Sequence, residues 1–198
     1  MDRAQMLMKD FADMQKILSN IVKIKVPEAI LQQSDKKAKE DMERARLNGL
    51  TPHFQTNELE NKTIGNIGEF VMAKWLDKHK IHYRMNIVSG KADDYDFKIK
   101  AKKWDIKTAK LKYKFSEINP GFHFLINENQ ADKKIHYYFF NSYRENYLYL
   151  IGFINSEFIK DSGLYKTDSM RTFSYKIHLK DLVPPRCMLN LVDPDRMD

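Results

Sequence analysis

Two short runs of alternating apolar and polar residues constrain this chain more than any other feature. They are Asp96–Lys100 and Lys103–Lys107, and only Ala101 and Lys102 separate them. Period-two alternation is typical of strands with one buried face. Because two residues can close an antiparallel hairpin, the sequence predicts a β-hairpin that turns at Ala101 and Lys102.

The predicted pairing, with Lys100 opposite Lys103, decides which side chains share a face. One face carries four apolar side chains, namely Phe97, Ile99, Trp104 and Ile106. The other carries Asp96 opposite Lys107 and Lys98 opposite Asp105. Side chains two apart on a strand leave on the same side, roughly 7 Å apart. Two carboxylates and one ammonium are thus expected to converge, which can hold a hard divalent cation beside a Lys.

The basic charge of the chain is concentrated on this same stretch. The 34 Lys and Arg exceed the 27 Asp and Glu by seven, and residues 98–114 alone hold eight Lys against one Asp. Because the rest of the chain is balanced, the excess predicts a polyanionic partner. A solvated lysine face that protects an edge hairpin from aggregation is the alternative interpretation.

Composition excludes several other classes of protein. The 198 residues are 42% apolar and lack a run of 18 apolar residues, which predicts a core but no membrane span. The start lacks the apolar stretch of a secretory signal. The lone Cys187 excludes an internal disulfide, and the six His, of which His79 and His82 come nearest, lack zinc-like spacing. We expect a cytoplasmic protein, either in its own cell or in a virus-infected host.

Helical patterns are confined to the first 80 residues. Apolar residues at steps of three and four predict a helix over residues 4–25, which packs in the core or makes a dimer contact. A charged helix is predicted over Asp35–Asn48, ended by Gly49. A mostly apolar helix follows over residues 61–80, capped at Asn61 or Thr63.

Three residues of that third helix need a special reason to be there. Gly65 and Gly68 each cost about 1 kcal/mol relative to Ala in a helix interior, so they predict the close approach of another backbone or of a ligand. Glu69 lies on the otherwise apolar stripe Gly65–Glu69–Met72–Leu76. A carboxylate there is costly unless it is paired, metal-bound or extended to solvent.

Strand patterns fill the second half of the chain. They cover residues 81–88, 122–126, 135–143, 147–154 and 172–177, while residues 111–115 could extend the hairpin or begin another strand. The order predicts a mixed α/β domain over residues 61–198, with a mixed central sheet flanked by helices, and an N-terminal helical arm over residues 1–60.

The combination of buried helix, strand and acidic hairpin resembles the PD-(D/E)XK nuclease superfamily. Among the acid-x-Lys triplets of this chain, only Asp105–Lys107 ends a hydrophobic hairpin. The stretch TIGNIGEFVMAKWL is similar to the first core helix of that family, whose Glu maps to Glu69. The stretch DYDFKIKAKKWDIKT is similar to its second and third core strands, with the first acid at Asp96 or, alternatively, Asp94. No Pro precedes that acid, and Gln130 could match a Gln found after the third strand in some relatives.

This resemblance implies a restriction-endonuclease-like fold and hydrolysis of phosphodiester bonds. DNA is the expected substrate, in a restriction, recombination or phage-type role. Mg²⁺ or Mn²⁺ would be held by Asp96, Asp105 and the Ile106 carbonyl, with Glu69 bound directly or through water. Lys107 would orient the attacking water. The lysines expected to grip phosphates are Lys98, Lys103, Lys110 and Lys112. A homodimer stays open.

Two other functions stay open on the sequence alone. A non-catalytic nucleic-acid-binding module would use the basic hairpin, with Asp96 and Lys107 as a cross-strand ion pair and Glu69 in solvent. A protein-interaction domain would use the N-terminal amphipathic helix as its partner surface. Mg²⁺-dependent cleavage separates the nuclease from both.

Overall fold

The computed structural model describes residues 15–49, 57–86, 95–114, 121–131, 134–166 and 172–192. Four α-helices lie wholly within these ranges: α1 (Glu28–Leu47), α2 (Glu58–Lys78), α3 (Glu128–Ala131) and α4 (Pro185–Val192). The strands are β1 (Val22–Lys25), β2 (Tyr83–Met85), β3 (Phe97–Ile99), β4 (Lys102–Lys110), β5 (His123–Asn127), β6 (Tyr137–Arg144), β7 (Tyr147–Asn155), β8 (Leu164–Tyr165) and β9 (Ser174–His178).

A mixed six-stranded sheet forms the centre of the fold. Its strand order is β1-β7-β6-β4-β3-β2, in which β4 and β6 run parallel and every other neighbouring pair runs antiparallel. A second sheet of three antiparallel strands has the order β5-β9-β8. The predicted mixed α/β class with a helix-flanked sheet is confirmed, whereas the separate three-stranded sheet was not predicted.

The two faces of the central sheet pack into two apolar clusters. One face buries Phe97, Trp104 and Phe139 against Trp75 and other apolar residues of α2. The opposite face brings Tyr138 and Phe140 together with apolar residues of β5 and β9. Alternate residues of one strand therefore enter different clusters, as a pleated strand buried on both faces requires.

The hairpin β3–β4 forms with the predicted faces but in a different register. Phe97 lies opposite Trp104 and Lys98 opposite Lys103, so the predicted pairing of Lys98 with Asp105 is wrong. The displacement equals two residues, which leaves every side chain on the face predicted for it. The turn accordingly consists of Lys100 and Ala101.

Lys100 adopts a positive φ of 52° in this turn, a region that side chains with a Cβ disfavour by about 1 kcal/mol. Lys100→Gly should therefore stabilise the protein by about that amount, which corresponds to a rise in Tm of roughly 2–4 °C for a chain of this size. Thermal unfolding measures the change. Ala101→Gly is the matched control and should not raise the Tm; equal gains for both variants would contradict the assignment of the strain to Lys100.

The N-terminal part differs most from the prediction. Residues 15–19 are helical, but Val22–Lys25 forms the edge strand β1 on β7, so the helix predicted to residue 25 is wrong at its end. Leu18 and Ile21 pack on the second cluster, which confirms a core role for them. The charged helix is longer than predicted, because α1 starts at Glu28 and buries Ile30. Residues 1–14 lie outside the described ranges, and the division at residue 60 stays a prediction.

The starts of two helices also differ from the prediction. Helix α2 begins at Glu58, ahead of the predicted caps Asn61 and Thr63. Helix α4 starts at Pro185, where the sequence indicated only a break, because Pro is well suited to the first turn of a helix. In the part of the chain that the structure describes, none of the helices has the length and apolarity needed to cross a membrane.

Candidate active site

Helix α2 carries Glu69 to the central sheet because Gly68 allows a close approach to β4. A Cβ at position 68 would overlap Thr108 Oγ1 and lie 2.9 Å from Thr108 Cβ. A close approach is thus found at Gly68, but to the side chain of a strand residue and not to the backbone or ligand that was predicted. At Gly65 a Cβ would meet none of the described atoms within 4 Å, so the approach of another backbone is not found there and the approach of a ligand stays a prediction.

Asp96 lies where the chain bends into β3. Its N–H donates to the Trp104 carbonyl at 3.0 Å, and the Ile106 N–H donates to Asp96 Oδ2 at 2.5 Å. In the described residues β3 pairs with β4 only as far as Phe97, so the Asp96 carboxylate occupies the place of a strand partner for Ile106. Because the N–H and C=O of one strand residue leave on the same edge, the Ile106 carbonyl also faces this side.

Asp105 and Lys107 form an ion pair on the face of β4 that is turned away from helix α2. Lys107 Nζ lies 2.5 Å from Asp105 Oδ2, and the exposed fractions of the two side chains are 26% and 9%. The Asp105 Oδ2 atom is fully buried and has no hydrogen-bond partner within the described ranges. The contact between the two side chains is therefore electrostatic, and the predicted pairing of Lys107 with Asp96 across the hairpin is wrong.

The pKa of Asp96 is shifted by the other three predicted side chains. Burial raises the pKa of Asp96 well above its ordinary value, and the carboxylates of Asp105 and then Glu69 raise it further. The Ile106 N–H and the Lys107 ammonium lower the same pKa. Asp96 thus interacts with two further acids and one amine at a half-buried corner of the sheet, and the excess negative charge favours a cation there.

The residues fit a divalent cation as a partly formed site. No three His, Cys, Asp or Glu side chains in the described ranges stand grouped as metal ligands. Mg²⁺ keeps several waters and needs only one or two carboxylates from the protein. Asp96, Asp105 and the Ile106 carbonyl can supply these oxygens, and Glu69 can act directly or through water. The buried Asp105 carboxylate and the repulsion that Asp105 and Glu69 exert on Asp96 carry this fit, and the metal site itself stays a prediction.

Comparison with known proteins gives no relative from which a role could be transferred. No protein-family model, no curated protein and no solved structure matches this chain. The roles of the four residues therefore rest on their contacts.

The raised pKa of Asp96 predicts how stability depends on pH. The folded protein holds the Asp96 proton to a higher pH than the unfolded chain, so this group's stabilising contribution is full below about pH 3.9 and is lost as pH rises through the folded-state pKa. Asp96→Asn, which keeps an oxygen for the Ile106 N–H, should raise the Tm above that of the wild type at pH 8 in EDTA. The difference should shrink at pH 4; a variant less stable at pH 8 would contradict this.

The four lysines predicted to bind phosphates differ in their exposure and in their contacts with other side chains. Lys98 and Lys112 are exposed, and Lys98 faces Lys103 across the hairpin. The Lys103 ammonium lies 5.1 Å from the centre of the Tyr95 ring. Lys110 forms an ion pair with Glu60 at 2.5 Å, which ties the end of β4 to the start of α2. Lys98 and Lys112 are thus the best placed to meet a phosphate, and the gripping role stays a prediction for all four.

Other residues near the centre were missed or lie outside the described part. Tyr138 is the register partner of Asp105 on β6, is fully buried, and donates its hydroxyl to the Gln130 carbonyl at 2.5 Å. No local pattern could reveal Tyr138, because its neighbour is 33 positions away in the parallel pair. The contact of Gln130 with Tyr138 is made by its main-chain carbonyl, so a role for the Gln130 side chain stays a prediction. The alternative acid Asp94 lies outside the described residues.

Proposed function

We propose that this protein is a metal-dependent nuclease that hydrolyses phosphodiester bonds, with DNA as the expected substrate. The observation that carries the proposal is that Asp105 and Glu69 raise the pKa of Asp96 while Lys107 lowers it. A buried acid whose pKa is raised by other acids is typical of functional sites, and a metal-bound phosphodiester cleavage site uses carboxylates in this way.

Each residue of the constellation has a distinct task in this proposal. Asp96 and Asp105 supply carboxylate oxygens for the cation, and the Ile106 carbonyl faces the same edge. Lys107 lies within 2.5 Å of Asp105, so its ammonium stays beside the cation site. From there it can orient a water and offset the negative charge that develops on the phosphate. Glu69 approaches from the helix and orders the remaining water.

A bound Mg²⁺ or Mn²⁺ would supply Lewis acidity for the phosphate and lower the pKa of water. The protein residues must hold that charge in place, and the close contact of Gly68 with Thr108 provides the rigidity by fixing α2 on β4. Rigid elements of this kind keep site geometry more exact than loops can.

The restriction-endonuclease-like fold is part of the same proposal. Helix α2, strand β2 and the hairpin β3–β4 follow one another in the order that the resemblance requires, and the helix bears Glu69 beside the acids of the hairpin. The basic residues 98–114 support a nucleic-acid substrate, since they carry seven net positive charges next to the centre.

A non-catalytic nucleic-acid-binding module is the second candidate. The ion pair between Lys107 and Asp105 favours it, because that pair neutralises one acid without any cation. It does not account for the half-buried Glu69 that acts on Asp96, since this interpretation expects Glu69 in solvent.

Incubation of the wild-type protein with plasmid, single-stranded DNA and RNA separates the two candidates. We expect cleavage of DNA with Mg²⁺ and none with EDTA. Salt-sensitive binding without cleavage of any substrate, under every divalent cation tried, would instead support the binding module.

A further inference from the structure

A groove lies beside β1, the edge strand at the opposite side of the central sheet from β2. It has a volume of about 580 Å³ and is enclosed by the edge strand β1, the C-terminal end of α2 and helix α4. We call it the edge groove. Its floor is apolar, formed by Trp75, Ile24 and Leu189, which belong to or pack on the first core cluster.

All the charged side chains that line the edge groove are basic. They are Lys23, Lys78 and Arg186, with His79 beside them. A larger neighbouring groove of about 720 Å³ has a mixed lining instead, in which Asp161 and Asp181 accompany Lys180. The edge groove is thus the one of these two that selects for negative charge.

Two of the cations that line the edge groove are not paired with acids in the part of the chain that the structure describes. Lys78 and Arg186 are exposed and form no ion pair within the described ranges. The Lys23 ammonium is held 4.0 Å from the centre of the Tyr147 ring. His79 packs against the buried Trp75 with ring centres 4.9 Å apart. Positive groups over an apolar floor repel one another and attract an anion more strongly than isolated surface lysines do.

We propose that the edge groove binds a phosphate group of a nucleic-acid strand. A guanidinium such as Arg186 matches the oxygens of a phosphate in bidentate geometry, and Lys78 adds a mobile point charge. Nine residues of α2 separate Glu69 from Lys78, or about 14 Å at 1.5 Å per residue. At 3.4 Å per nucleotide this is about four steps of a strand. The inference rests on the proposed function in so far as the strand held here is the nuclease's substrate.

The test compares two pairs of surface substitutions that remove the same charge. Lys78→Gln/Arg186→Gln empties the edge groove of two cations, and Lys36→Gln/Lys180→Gln removes two exposed cations elsewhere. Binding of a short labelled single-stranded DNA is measured by fluorescence anisotropy in EDTA over a series of salt concentrations. We expect the groove pair to weaken binding about tenfold and to reduce the salt slope by about 1.4, as two lost phosphate contacts would. The control pair should change affinity less than about twofold.

Three outcomes would overturn the proposal. The first is equal weakening by both pairs, which reports net charge alone. The second is an unchanged affinity for DNA while inorganic phosphate still binds the groove, which indicates a site for free anions. The third is the same loss of affinity for an oligoglutamate peptide, which indicates an acidic protein partner. Because the binding assay is carried out in EDTA, these outcomes are independent of whether the protein cleaves DNA.

Discussion

Asp105→Asn and Lys107→Ala should each lower the rate of Mg²⁺-dependent DNA cleavage by at least about 100-fold, the loss expected when one electrostatic contact to the reacting centre is removed. Asp105 is almost fully buried, and in the proposed function its carboxylate charge holds the cation. Lys107 is the only amine that acts on Asp96 among the described residues. Single-turnover cleavage of a plasmid at saturating protein concentration measures both losses.

Lys102→Ala is the matched control for Lys107→Ala. Lys102 belongs to the same strand, is exposed, and lies opposite Ile99 at the turn end of the hairpin. Its removal should alter single-turnover cleavage by less than about threefold, since surface charges away from the reacting atoms affect mainly binding. Far-UV circular dichroism must show that each variant is folded. Equal rates for the wild type, Asp105→Asn and Lys107→Ala would refute the assignment of the centre.

Gly68→Ala should destabilise the protein by about 1–3 kcal/mol, the usual consequence of overpacking a core contact. The added Cβ overlaps the Thr108 hydroxyl, and Thr108 is a short β-branched side chain whose Cβ lies 2.9 Å away. Helix α2 must then move off β4, which also displaces Glu69. We expect a Tm lower by roughly 2–10 °C together with a loss of cleavage.

Gly65→Ala provides the internal comparison in the same helix. A Cβ at position 65 meets none of the described atoms within 4 Å, so the substitution should stabilise α2 by up to about 1 kcal/mol. Thr108→Ala in the Gly68→Ala background should recover part of the lost stability, because it removes the overlapping hydroxyl. A Gly68→Ala variant as stable as Gly65→Ala would contradict the close contact.

The faces of the hairpin could be predicted from the sequence, but its register could not. Alternation decides which side of a strand is buried, and a displacement by two residues leaves that decision unchanged. The turn residues Lys100 and Ala101 carry no chemistry that marks a tight turn, so nothing local favoured this register. Because the apolar pattern is indifferent, the pairing of Phe97 with Trp104 became visible only in the fold.

Long-range pairing explains the other differences. Val22–Lys25 continues an apolar spacing that indicates a helix, yet it is a strand because it completes the edge beside β7, more than a hundred residues later. Tyr138 beside Asp105 depends on the parallel pairing of β4 and β6 in the same way. Glu69, by contrast, could be singled out from local sequence, since a carboxylate in an otherwise apolar helix stripe is costly unless it is paired, metal-bound or extended to solvent.

Titration with Mn²⁺ by calorimetry tests the central claim most directly, because it asks whether the acids around Lys107 hold a cation at all. The wild type should bind Mn²⁺, and Asp96→Asn and Asp105→Asn should each weaken that binding at least about tenfold, or about 1.4 kcal/mol. The control is Glu60→Gln, which removes an acid of the helix that also carries Glu69. Glu60 is paired with Lys110, so this variant should bind Mn²⁺ as tightly as the wild type. Binding that is absent from the wild type, or that survives both substitutions, would contradict the account.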